Sequence, residues 1–82
     1  MSSRNVRGML TAEALASGLK EQYAVLRRRG KVVVELAAIT GGLGFEVTVS
    51  VTSGPDSTLK ASTFDRLNEA RAEFLRLVRR NP

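Results

Sequence analysis

The chain has 82 residues, with thirteen lysines and arginines against eight aspartates and glutamates, for a formal net charge of +5; it has no cysteine and no histidine. One small domain is expected, burying only roughly 60–65% of the surface its extended chain would expose. Disulfide frames, thiolate metal sites and histidine-dependent triads are excluded by composition.

Residues 1–10 carry Arg4 and Arg7 among polar neighbours and read as a flexible basic arm, with residues 11–82 forming a single α+β domain. The start lacks the apolar core of a secretion signal, and no apolar run approaches a membrane span, so a cytoplasmic, phage-type small protein is expected.

A first helix is expected from Thr11, an N-cap with Leu10 before it and Leu15 at hydrophobic-staple spacing. Leu15, Leu19, Tyr23 and Leu26 then fall on one helical stripe, and Gly30 is placed as the residue that ends the helix. Arg27, Arg28 and Arg29 would sit at its negative dipole end.

From Lys31 the pattern changes to period two. Val32, Val34, Leu36 and Ala38 form one side of a strand, and Phe45, Val47, Val49 and Val51 alternate with Glu46, Thr48, Ser50 and Thr52 in the next. An antiparallel pair with both apolar sets on one face needs a loop with an even number of residues. A Gly41–Gly44 loop meets that need and sets Thr40 opposite Phe45, Ala38 opposite Val47, Leu36 opposite Val49 and Val34 opposite Val51. Gly41-Gly42-Leu43-Gly44 is not read as a phosphate cradle, because a strand follows it rather than a helix.

The segment Ser53-Gly54-Pro55-Asp56-Ser57 is a turn signal. Residues 58–61 could add a short third strand with Leu59 and Ala61 facing inward. A second helix is expected from Ser62 or Thr63, with Asp65 completing an acidic capping box. Phe64, Leu67, Ala70, Phe74, Leu77 and Val78 fill its apolar face; Arg71 is read as snorkelling past that face, and Glu73 as meeting Arg76.

The expected fold is thus α-β-β-(β)-α, two helices on one face of a two- or three-stranded antiparallel meander. Its element order is similar to that of double-stranded-RNA-binding domains. The ending STFDRLNEARAEF resembles the strand-to-helix junction of small sheet-based DNA-binding domains.

If residues 58–61 form a strand, the second helix runs back to the end of the sheet where strand one starts. Arg27, Arg28, Arg29, Lys31, Arg76, Arg79 and Arg80 would then merge into one basic patch suited to nucleic-acid phosphates. A protein partner or second copy is the alternative, using Val33, Ala37, Ile39, Thr48 and Ser50 on the outer sheet face, or a sheet edge. No enzyme activity, metal, cofactor, small-molecule substrate or membrane contact is expected. Glu35 and Glu46 are placed far apart on the outer face as solubilising residues, and the lysines lie at polar positions.

Overall fold

The computed structural model describes residues 10–82, so the expected basic arm, with Arg4 and Arg7, lies outside the described residues. Six elements follow in order: α1 (Ala12–Ala16), β1 (Glu21–Arg27), β2 (Gly30–Ala38), β3 (Phe45–Ser53), β4 (Asp56–Phe64) and α2 (Leu67–Arg80). The class is α+β, built on one antiparallel sheet of order β1-β2-β3-β4. It has four strands rather than the two or three expected, and the added one comes from the segment read as helix.

Thr11 does cap α1, its Oγ1 accepting from Ala14 N at 3.1 Å. The helix nevertheless lasts only five residues, and Gly18, with φ +106°, turns the chain away. From Glu21 the side chains alternate, Glu21, Tyr23 and Val25 facing the helix-covered side while Gln22, Ala24 and Leu26 face outward. The helical spacing of Leu19 and Leu26 was coincidental, since both are largely exposed. Gly30 ends no helix; it pairs with Arg27 across a two-residue turn formed by Arg28 and Arg29.

Gly30 is required by close packing of backbones. A Cβ there would lie 1.8 Å from the Thr52 carbonyl oxygen across the β2–β3 ladder. Gly30→Ala should therefore cost about 1–3 kcal/mol by forcing the two strands apart, read as a lowered urea midpoint. Gly42→Ala should lose stability by a different route: nothing lies within 4 Å of its added methyl, but its φ of +72° is a left-handed backbone that alanine resists.

The central hairpin keeps the expected face but shifts in register. Ala38 pairs with Phe45, Leu36 with Val47, Val34 with Val49 and Val32 with Val51. Ile39 N continues the ladder by donating to Gly44 O at 2.9 Å, so the four-residue loop is Thr40–Leu43, one position earlier than expected. Parity survives because the slip preserves an even loop. The slip also changes the outer face: Glu35, opposite Thr48, becomes a diagonal neighbour of Glu46, about 7–8 Å away rather than distant.

β4 is twice as long as expected and shows its other side. Lys60 opposes Val49 and Ser62 opposes Val47 on the inner face, so Leu59 and Ala61 face outward with Ser50 and Thr48. Ser62 and Thr63 are strand residues, and α2 starts at Leu67 with Arg66 at its N-cap and no side-chain cap. The proposed capping box does not form.

The core lies between α2 and the sheet. Val32, Val34, Leu36, Val47, Ala70 and Phe74 are buried together, flanked by Tyr23, Val25, Phe45, Val49 and Phe64. Leu15 of α1 is buried as well. The outer face receives no such cover from the described residues. Each of its strand residues is partly or fully exposed, Leu26 at 80% and Leu59 at 68%. No helix among the described residues is long and apolar enough to cross a membrane.

Candidate nucleic-acid interface

The meander fixes where the basic residues meet. β2 runs away from the Arg28-Arg29 turn, β3 returns, β4 runs away again and α2 comes back. The turn between β1 and β2 and the turn between β3 and β4 are therefore neighbours, joined by Gly54 N donating to Arg29 O at 2.9 Å. The last residues of α2 reach the same pole. Tyr23 Oη donates to Asn81 O at 2.7 Å, and Arg27 Nη1 donates to Pro82 O at 3.0 Å.

These bonds bring Arg27, at the end of β1, against the end of α2, where Arg79 and Arg80 are exposed. Arg28 and Arg29 form the exposed tip of the β1–β2 turn. Lys31 is exposed on the outer face, opposite Leu26 and Thr52. Arg76 aside, the expected residues thus share one pole but spread over both faces of the sheet's end.

Arg76 stands apart from the tip. Its Nε and Nη2 donate to Glu73 Oε1 and Oε2 at 2.8 and 2.6 Å, as the i, i+3 spacing allows. That hydrogen-bonded guanidinium holds the Glu73 carboxyl below its ordinary value, and the Glu73 carboxylate raises Arg76 in turn. The pair therefore contributes to stability above the usual carboxylate range, and the contribution is lost as pH falls through the lowered Glu73 value.

A groove of about 460 Å³ runs between α2 and β4, lined by Lys60, Ser62, Glu73, Arg76 and Arg80 over a floor of Val47 and Val49. Lys60 is the basic residue that sequence reasoning left out. Its membership depends on which face of β4 turns inward. The usable signal was the alternation of Thr58, Lys60 and Ser62 with Leu59, Ala61 and Thr63, and the apolar set was assumed to face the core.

On the outer face, Ala24, Val33, Ser50 and Leu59 form one row across all four strands. Ala37, Ile39 and Thr48 are half-buried near it. Glu35 is held there by Gln22 Nε2, which donates to Oε2 at 2.6 Å, and by Lys20 Nζ at 3.8 Å from Oε1.

No group of histidine, cysteine, aspartate and glutamate among the described residues is arranged to hold a metal ion. Comparison with known proteins finds no matching family model, no matching curated protein and no matching solved structure.

Proposed function

We propose that the protein is a non-enzymatic binding module that grips nucleic-acid phosphates at the pole where the β1–β2 turn meets the end of α2. The observation that carries this reading is the Arg27–Pro82 bond, which draws two arginine clusters from distant parts of the chain to one end of the sheet. Arginine's planar fork suits phosphate oxygens, and such contacts are electrostatic and indifferent to base sequence. Lys60, Arg76 and Arg80 in the adjoining groove extend the positive surface along α2. A chain without cysteine suits the reducing cytoplasm, where this reading places it.

A titration against duplex DNA and duplex RNA at rising salt tests the proposal. Affinity should fall linearly on logarithmic axes. The double variant Arg28→Ala with Arg29→Ala should reduce that slope by up to about 1.8, at about 0.9 for each phosphate contact removed. Those arginines are exposed at a turn, so an unchanged circular dichroism melt accompanies the loss. Absence of binding at low salt, or an unchanged slope, overturns the reading.

The second reading is a protein partner seated on the outer face. It is favoured by the exposed Leu26 and Leu59 and by the uncovered Ala24-Val33-Ser50-Leu59 row. In that case Leu59→Lys abolishes the contact, while the arginine double variant leaves it intact.

A further inference from the structure

We propose that β4 is a self-pairing edge: two copies of the chain join antiparallel through β4 about a two-fold axis at Thr58, making a continuous eight-stranded sheet. The inference concerns β4 and a second copy, and it stands whether or not the arginine pole binds phosphate.

β4 runs nine residues in unbroken register with β3, without an internal proline or bulge. All its residues except Phe64 are exposed, because α2 lies mainly over β2 and β3. A strand of that length with open backbone groups is a template for another strand. Natural edges are commonly guarded by charge, and the charges here are Asp56 at the start of β4 and Lys60 within it.

Lys60 does not forbid every register. In an antiparallel pair, opposed residues share a face, so a two-fold axis normal to the sheet must pass beside a single residue. An axis at Lys60 would set two ammonium groups against each other. An axis at Thr58 instead sets Lys60 of each copy opposite Asp56 of the other, on the same face, twice. Ser57 then opposes Leu59 on the outer face. Among the described residues neither Asp56 nor Lys60 forms an ion pair within the chain, so both are available. The opposite edge differs. On β1, Glu21 is occupied by Arg71, and Arg27 is bonded to Pro82 O.

The second copy also completes a surface. The groove between α2 and β4 is lined by the edge residues Lys60 and Ser62, so pairing sets two such grooves side by side as one trough. Its floor carries Lys60 and Ser62 of both copies, and its walls carry Arg76 and Arg80.

Sedimentation equilibrium of the full chain up to roughly 1 mM should show the mass rising with concentration from 8.9 kDa toward twice that value. Lys60→Asp alone opposes two carboxylates and stays monomeric. Asp56→Lys alone opposes two ammonium groups and also stays monomeric. An equimolar mixture of these two variants restores the dimer, because each opposed pair is then attractive; folding of each is checked by circular dichroism. Because the chain has no cysteine, Thr58→Cys gives a clean geometric check. The two thiols lie on directly opposed residues, with Cα atoms about 4.5–5.5 Å apart, within disulfide reach. Mild oxidation should link that variant quickly. Ser62→Cys, with its two copies about 27 Å apart along the strands at 3.4 Å per residue, should not link. A wild type that remains at 8.9 kDa throughout, a Lys60→Asp variant that assembles like wild type, or equal linking of both cysteine variants overturns the proposal.

Discussion

Arg71→Ala should lower the melting midpoint by more than about 12 °C, the equivalent of about 3 kcal/mol or more in a domain of this size. Glu21 is 1% exposed, and its Oε1 accepts from Leu10 N at 2.9 Å and from Arg71 Nε at 3.1 Å. Arg71 Nη2 bonds the same carboxylate oxygen and the Leu10 carbonyl. One guanidinium therefore ties the start of the described chain, β1 and α2 together. Removing it leaves a carboxylate inside the protein with no counter-charge, which costs about 3–5 kcal/mol. Among the described residues Glu21 Oε2 already lacks a partner, so nothing in place can take over.

The double variant Glu21→Leu with Arg71→Leu should recover most of that loss, because an apolar pair needs no desolvation to be offset. Thermal melts followed by far-ultraviolet circular dichroism check both results. A single variant that melts within 3 °C of wild type, or a double variant no better than the single, would show that the pair contributes little.

Phe74→Ala should cost about 3–5 kcal/mol, a large share of the roughly 4–12 kcal/mol that 82 residues at about 0.05–0.15 kcal/mol each provide. Phe74 is 4% exposed and sits in the cluster formed by Val34, Leu36, Val47 and Ala70. It is the largest side chain by which α2 holds the sheet. Truncation loses the transfer free energy of the ring and leaves a cavity that the flanking strands cannot close. Leu75, its neighbour, is 38% exposed, and Leu75→Ala should shift the urea midpoint only slightly. Equal midpoints for the two variants would contradict the packing described.

The central hairpin was legible because its alternation is nearly clean. Glu46, Thr48, Ser50 and Thr52 leave one arrangement that buries Phe45, Val47 and Val49, and the face follows from parity even when the loop slips by one residue. β1 was illegible for a reason located elsewhere in the chain. A carboxylate at Glu21 spoils the apolar set of a strand unless a cation meets it, and the cation is Arg71, fifty residues on. The same pair explains why Arg71 looked like an intruder on the apolar stripe of α2. Each residue is anomalous in its own segment, and only tertiary contact reconciles them.

β4 was misread through a different assumption. Leu59 and Ala61 were turned inward because apolar residues usually face the core, yet α2 lies mainly over β2 and β3 and leaves a groove beside this strand. Because that groove is open to solvent, the inner side of β4 can be Thr58, Lys60 and Ser62 at little cost. The arginine pole was anticipated conditionally, since it needed a strand between the proline turn and the last helix. That strand forms, and the two clusters reach the same end of the sheet.

The meander has a consequence for the order in which the molecule assembles. Each strand pairs with its neighbour in sequence, so the sheet needs only short loop closures, which are fast. The contact between Glu21 and Arg71 closes a much longer loop and waits on α2, which follows all four strands in the chain. Until then Val34, Leu36 and Val47 remain wet, and Glu21 keeps its hydration. The desolvation of that carboxylate is thus deferred to the final docking event, when its cation arrives on the same helix that covers it.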